Sequence, residues 1–485
     1  MKERYPNFIG KREELLDERI EVRNPADVKQ VVATVPKAGT DQVNAAVDAA
    51  EEAFNGDWSD MKNSRSREKA MRKAVALVER DKAELARIFT MEQGKPLAEA
   101  ASEIESFLNT MDYYAGFGGK LFSRGTKVKM GSGYLHVEDE PFPVGVEALI
   151  PPWNFPVSLL GWKIAPALIC GNAVVVKPSG STPLVTIEIV ERIRDSLKDS
   201  GFDEGAVNVI TGSSSVIGDA LVSHRKVRKV FFTGSTDTGL HVYQKAATGI
   251  KSVTLELGGS DPTIVCDDAD LESAASDIVF KGRFRNAGQS CTSVKRLFVF
   301  ERVYDEFVKK VKGHTSSIRV GDGLNEGVSM GPLHNAPQRE SIKSLVEDAK
   351  SRGADIALGG SAIQGDGYFF EPTLIENVPD EARIWKEEAF GPALPIRKVR
   401  DFDEAIELAN NTRFGLGACI WTNDLTRQRK FLDRIESGIR WINSPPLSVP
   451  EISFGGVKES GTGRELGMDA LHENLEYRSS RTLYR

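Results

Sequence analysis

Cysteine is scarce in this chain. Four of the 485 residues are Cys, at positions 170, 266, 291 and 419, and none stands in a Cys-x-x-Cys pair or beside histidine at metal-ligand spacing. That pattern argues against a disulfide framework and against a metal site. Long apolar runs are also missing. The most apolar region, 148–176, is broken by Pro151, Pro152, Pro156, Lys163, Pro166 and Gly171, so it makes a poor membrane helix. Neither sign of charge dominates: 63 Lys and Arg against 70 Asp and Glu leave a net charge of −7, with the signs interspersed. Nothing in that balance calls for nucleic acid or an anionic membrane as a partner. The opening "MKERYPNFIGKREELLDERIEV" is charged throughout and lacks the apolar core of a signal peptide. These absences predict a cytoplasmic, reduced protein in which a thiol stays free.

Internal repeats and low-complexity linkers are absent too, and the length suits roughly three domains of ~150 residues. After a short extended start, the first hundred residues read as helical. "TDQVNAAVDAAEEAF" has Thr40 as its N-cap and repeats Val43, Ala46, Val47 and Ala50 at helical spacing, and "SREKAMRKAVALVERDKAELARIFTMEQG" continues the pattern to a stop at Gly94. Between 118 and 142 the period changes. "TKVKM" and "YLHVED", joined by Gly-Ser-Gly, predict a hairpin.

From 144 to 257, apolar strands alternate with helices: "VGVEALI", "AVVVK", "VNVIT", "KVFFTGS" and "SVTLEL" are the strands. Such strands predict an α/β fold with a parallel, doubly wound sheet covered on both faces. A second alternating block runs from about 260 to 445, with "RLFVF", "ALPIRKV" and "GACIWT" as strands, and the tail ends in the alternating "LEYRSSRTLYR".

The fingerprint GxGxxG is missing after the first of these strands, where the turn reads "IPPWNFP". A glycine-containing turn follows the fourth instead, as "FTGSTDTG", and the N-H groups opening the next helix suit a pyrophosphate. An ordinary βα turn gives the same residues. Cys291 follows Gly-Gln-Ser, which predicts exposure at an element terminus where backbone N-H groups stabilise a thiolate. A buried inert cysteine fits the residues equally well. No histidine shares its motif, although a spatial Cys-His pair stays open.

Taken together, "PWNFP", "KPS", "FTGSTDTG", "ELGG", "GQSC", "EEAFGP" and "FGGVKESGTGRELG" resemble, in order and spacing, the aldehyde dehydrogenase superfamily over essentially the whole chain. The resemblance implies that Cys291 attacks the aldehyde, that Asn154 and the Cys291 N-H hold the oxyanion, and that Glu256 is the general base. It implies cofactor contacts from Lys177 to the adenosine ribose, Ser235 to the pyrophosphate and Glu388 to the nicotinamide ribose, with Phe390 against the nicotinamide. Pro152, Trp153, Ser179, Gly180, Gly234, Gly239 and Leu257 complete that site. Phe155, Trp162 and Phe454 match positions lining the substrate tunnel, and Lys163 and Glu465 match positions linked to proton relay or structural support.

The resemblance further implies a Rossmann-like NAD(P)-binding domain at 1–119 and 143–255 with part of 450–470, a catalytic domain at 256–449, and an oligomerisation arm at 120–142 and 471–485. A homodimer or homotetramer is the expectation. Two departures bear on specificity. Gly180 stands where many NAD-preferring members have Glu, which leaves NADP or NAD as cofactor, and Trp162 stands where many carboxylate-handling members have Arg. Arg285 and Ser448 nonetheless match positions that hold the distal carboxylate in semialdehyde dehydrogenases. Succinic semialdehyde is one expected substrate, and a general aliphatic or hydroxyaldehyde is the alternative. A cysteine esterase or acyl transferase, and a catalytically silent oligomeric binding protein, are the readings from other classes.

Overall fold

The alternating block at 144–257 forms the parallel core of an eight-stranded sheet. Its strands are β1 (Val146–Ile150), β2 (Ala173–Val176), β3 (Val207–Val209), β4 (Val227–Thr233) and β5 (Ser252–Glu256), in the spatial order β5-β4-β1-β2-β3. All four of those pairings are parallel. The chain steps outward from β1 through β2 to β3, then returns to place β4 on the other side of β1. The crevice beyond the carboxyl ends of β1 and β4 is therefore a topological switch point, where doubly wound sheets take their ligands.

Helices α1 (Pro156–Cys170), α2 (Leu184–Asp199) and α3 (Thr236–Ala246) make the crossovers β1 to β2, β2 to β3 and β4 to β5. Strands β1, β2 and β3 are buried at every residue, as strands covered on both faces should be. So is α1, which makes it a core helix without a polar face. Antiparallel strands finish both edges. Gly461–Thr462 pairs with β5, and Asn7–Ile9 followed by Arg12–Glu14 extends the sheet beyond β3.

A seven-stranded sheet holds the second block. Its order is Asp355–Leu358, Thr373–Glu376, Ala393–Val399, Arg296–Phe300, Pro262–Val265, Gly417–Trp421, Ile439–Ile442, parallel except for the first pair. It has its own apolar core. The chain passes from one sheet to the other between Glu256 and Pro262, so Glu256 closes the first sheet and does not open the second.

The computed structural model describes residues 1–121 and 124–484; Phe122, Ser123 and Arg485, part of the anticipated arm, lie outside the described residues. The expected hairpin spans Arg124–Met130 and Gly133–Pro143, and Leu475–Tyr484 adds a third antiparallel strand in register from Leu475↔Pro143 to Tyr484↔Tyr134.

The N-terminal expectation needs correction. Four strands occupy parts of residues 7–36, including the pair Arg19–Asn24 and Asp27–Pro36. Thr40 begins its helix instead of capping it. The cap is Gly39, whose N-H is taken by the Gln42 side chain at 2.9 Å. The long helix ending at Gly94 is two helices, Ser64–Arg80 and Lys82–Gln93. Asp81 breaks it at φ −102° and ψ 8°, where its carboxylate binds Arg80 and Arg192. Gly94 ends the second helix at φ 101°, the left-handed conformation that glycine adopts at low cost.

Candidate active site

Cys291 lies in a turn between a short helical turn, Arg285–Gly288, and the strand Arg296–Phe300. Asn286, Ala287 and Gly288 are all left-handed, with φ of 51°, 53° and 72°. For alanine that conformation costs ~1–2 kcal/mol, so surrounding contacts must impose it. The Asn286 N-H donates to Glu99 at 2.9 Å, and its side-chain amide donates to the carbonyls of Asn154 and Gln289 at 3.0 and 3.2 Å. The Gln93 amide donates back to Asn286 at 3.0 Å. Gly288 is required twice over, because a Cβ there would stand 2.4 Å from the Gly391 carbonyl oxygen.

Asn154 leads into α1 and is buried. Its side-chain amide donates to the Gln289 carbonyl at 3.1 Å, and its own carbonyl accepts from Lys95 at 2.9 Å. Lys95 is ion-paired with Glu103, both without solvent exposure. The other Glu103 oxygen accepts the N-H groups of Val157 and Ser158 at 3.0 and 3.1 Å, satisfying the first turn of α1. Asn154 and the turn that carries Cys291 are thus fixed by one buried polar network.

Cys291 is half-buried in its turn, with the partial exposure expected of an element terminus, but the direction of its ionisation differs from the expectation. Burial pushes Cys291 up to about 12; Lys295 pulls it down, and the charges of Asp261, Glu388 and Glu256 hold it up. The residue sits in a turn among carboxylates, which together with burial favour the protonated thiol. A base is needed. Glu256, buried at the end of β5, has no hydrogen-bond partner on either oxygen among the described residues. Burial, then the charge of Glu465, holds its carboxyl well above the usual range, opposed by Lys163 and Arg464. Lys163 of α1 pairs with Glu465 at 2.7 Å and donates to Thr233 at 2.7 Å, in a cluster closed to solvent.

A cleft of about 620 Å³ leads from Cys291 across the switch point. Pro152, Trp153, Lys177, Ser179, Gly234, Ser235, Leu257, Glu388 and Phe390 line it together with Cys291. Ser235 caps α3 by accepting the Thr238 N-H at 3.3 Å. Gly239 lies one turn into α3, outside the cleft lining, where a Cβ would meet Leu257 at 2.3 Å. Its role is to let α3 pack on Leu257. Among the described residues, buried Lys177 donates only to the Pro178 carbonyl, at 3.2 Å, and it is brought down to about 8 by burial with no acid among them countering it. At Gly180, nothing lies within 4 Å of where a Cβ would stand. Glu388 accepts from the Gly259 N-H at 3.1 Å and pairs with Lys295 at 2.9 Å, while Phe390 meets Trp153 edge-on at 5.5 Å. An uncompensated amine, open space beside it and a capped helix N-terminus facing one cleft fit a dinucleotide phosphate.

Of the tunnel candidates, Trp162 and Phe454 pack together at 4.6 Å, and Phe155 lies between Lys95 at 4.2 Å and Arg285 at 5.5 Å. Arg285 is half-buried, as is Glu99, whose carboxyl is pushed up by desolvation and drawn back down by the charge of Arg285. Ser448 is exposed, in the loop after Ile439–Ile442. The motifs passed over Lys95, Lys295 and His334. Lys95 and Lys295 hold the backbone of Asn154 and Cys291, and His334 stacks on Trp153. Their one sequence signal is that each stands within a few residues of a glycine-bearing turn.

Residues 12–480 match the Aldehyde dehydrogenase family. Human retinaldehyde dehydrogenase 3 is 39% identical, with 94% of this chain and 88% of that protein aligned. The NADP(+) succinate-semialdehyde dehydrogenase of Escherichia coli strain K12 is 38% identical, over 95% of this chain and 93% of that protein. The crystal structure of betaine aldehyde dehydrogenase from Staphylococcus aureus, in complex with NAD+, superposes with a TM-score of 0.93 at 33% identity, covering 98% of this chain and 94% of that one. A thiol and a buried side-chain amide line one cleft at the switch point, an unpartnered carboxylate ends β5, and nearly the whole chain follows the same relatives: it belongs to the aldehyde dehydrogenase family and is an NAD(P)+-dependent oxidoreductase.

Proposed function

We propose that this enzyme oxidises a short semialdehyde, an aldehyde with a distal carboxylate, to the dicarboxylic acid. The observation that carries the substrate class is Arg285, a half-buried guanidinium over the Phe155 ring, next to the residue that follows Asn154. A guanidinium takes a carboxylate in a two-point fork and so fixes the distance from carboxylate to aldehyde carbon.

Cys291 attacks the carbonyl carbon and Glu256 takes the thiol proton. The carbonyl oxygen, becoming negative, is met by the Cys291 N-H and by the Asn154 amide, which has a second N-H beyond the one given to Gln289. The dinucleotide, when bound, supplies the hydride acceptor that converts the Cys291 adduct to a thioester. Glu256 then takes a proton from the water that attacks this thioester, after passing the first proton toward the Lys163–Glu465 cluster beside it. Lys177 and Ser179 hold the adenosine ribose, Ser235 the pyrophosphate and Glu388 the nicotinamide ribose. Gly180 leaves room for a 2′-phosphate and Lys177 supplies the charge, so NADP+ is used as well as NAD+.

The proposal includes the division into a cofactor domain, a catalytic domain and an arm that joins subunits. The three-stranded arm exposes Val128, Met130, Tyr134, Tyr477, Leu483 and Tyr484, and sheets this small need a covering partner.

The test compares kcat/KM for succinic semialdehyde and butanal. Wild type should favour the semialdehyde roughly ten- to hundredfold, the worth of a charge-assisted hydrogen bond of ~1.5–3 kcal/mol, and Arg285→Leu should abolish the preference. Equal efficiencies in the wild type, or a preference that survives the substitution, would leave a general aliphatic or hydroxyaldehyde as the substrate.

A further inference from the structure

His334 is a buried histidine that none of these steps uses. Its ring stacks on Trp153, a cleft residue, with centroids 4.7 Å apart and planes 13° apart. Nδ1 faces the Gln93 carbonyl oxygen at 3.3 Å, and Nε2 faces Ser181 Oγ at 2.7 Å. The backbone N-H of His334 donates to the Gln289 side chain at 2.8 Å, a bond independent of the ring.

These contacts fix a direction of donation. A carbonyl only accepts, so Nδ1 carries the proton, and burial keeps the ring neutral by bringing it down to about 4. Nε2 is then bare, and the Ser181 hydroxyl donates to it. Serine has one proton to give. The contact between Ser179 and Ser181 at 3.2 Å therefore runs from Ser179 to Ser181. Ser179 lines the cleft beside Lys177 and Ser214, and with its proton committed it meets a ligand with lone pairs.

We propose that His334 is a positioning residue for cofactor choice: acting through Ser181, it makes the Ser179 hydroxyl an acceptor, which suits a ribose 2′-hydroxyl and opposes a 2′-phosphate. The inference rests on the reading that the adenosine ribose lies at Lys177. A 2′-hydroxyl donates to Ser179 without disturbing the chain of hydroxyls. A phosphate offers only acceptors, so Ser179 must turn its proton outward and give up its bond to Ser181. Lys177 and Gly180 admit the phosphate while the His334 chain discriminates against it, and the balance is an enzyme that uses both dinucleotides.

Calorimetric titration of NADP+ and NAD+, with kcat/KM for each, tests this on four variants. His334→Phe keeps the stack on Trp153 and removes both nitrogens. Freed of its acceptor, Ser181 can donate to Ser179, and the NAD+ to NADP+ ratio of Kd should rise roughly three- to tenfold. Ser181→Ala should move the ratio the same way without disturbing the buried ring. His334→Gln, which puts an acceptor oxygen near the place of Nε2, should keep the wild-type ratio. Lys177→Ala should weaken NADP+ binding and checks where the ribose lies. Unchanged ratios in both His334→Phe and Ser181→Ala, with Lys177→Ala responding, would overturn the role of His334 and leave the ribose placement standing. No response from Lys177→Ala would overturn the placement itself.

Discussion

At the Cys291 end of the cleft, polar side chains hold one another, whereas at the Lys177 end the protein leaves space. Asn154, Asn286 and Gln289 exchange hydrogen bonds with each other and with Gln93, Lys95 and Glu99. Lys177 has a neighbouring carbonyl as its partner, and Gly180 faces open space. The contrast follows from what each end must do. Bond making depends on sub-ångström placement, so the turn before Cys291 can carry three left-handed residues only because several segments pin it. Holding a ribose depends on summed affinity, which tolerates change. Glu256 is the exception at the rigid end, a buried carboxylate with no partner among the described residues, as the proposed base must be to move protons.

Substitutions at the two ends should therefore differ in kind. Cys291→Ala should lower turnover at least a thousandfold while the Kd for NAD(P)+ stays within about twofold, because in the proposed mechanism the thiol acts on the aldehyde and other residues hold the ribose. Retention of more than a few per cent of turnover would end the covalent mechanism. Glu256→Gln keeps the shape and removes the basicity. It should slow steady-state turnover roughly hundredfold and give no burst of reduced cofactor in stopped flow, because the thiol and the attacking water lose the same base. Gly180→Glu, at the open end, should lower NADP+ efficiency by roughly tenfold, the factor given by ~1.4 kcal/mol of repulsion, with little effect on NAD+. An unchanged cofactor ratio would mean that the open end does not select.

The smallest effect on catalysis is expected beneath the cleft, at Glu147 of β1. This carboxylate is buried, has no partner on either oxygen among the described residues, and is pushed up to about 8 by burial. The folded state therefore keeps a proton that the unfolded state loses above its usual pKa near ~4.3. Stability should fall as the pH rises from about 5 to 8. Glu147→Gln should flatten that fall, with Tm values that agree near pH 5 and diverge by a few degrees at pH 8.5, while kcat stays within about twofold. Parallel Tm curves would place the proton elsewhere.

The beat of strand and helix was legible because its signals are local: β1, β2 and β3 are short, mostly apolar runs separated by the helical periods of α1 and α2. The motif residues were legible as a set, and the cleft gathers Asn154, Lys177, Ser235, Glu388 and Cys291. What escaped depends on distant chain segments. Gln93 reaches Asn286 across 193 residues and His334 reaches Ser181 across 153. The break at Asp81 is tied to Arg192, 111 residues away. The direction of the Cys291 ionisation escaped for the same reason, since burial and the carboxylates of Asp261, Glu388 and Glu256, from two other segments, all raise it.

The short strand Gly461–Thr462, which seals the edge beside Glu256, has a consequence for synthesis. On the ribosome, β5 is made first and its partner follows roughly two hundred residues later. At ~5–20 residues per second, the nascent first sheet waits ~10–40 s with that edge bare. The same late segment brings Glu465, so Lys163 passes this interval without its counter-charge. The first sheet is early in sequence and late in completion, and the nascent chain is most exposed to edge-to-edge association just before Glu256 gains its final neighbours.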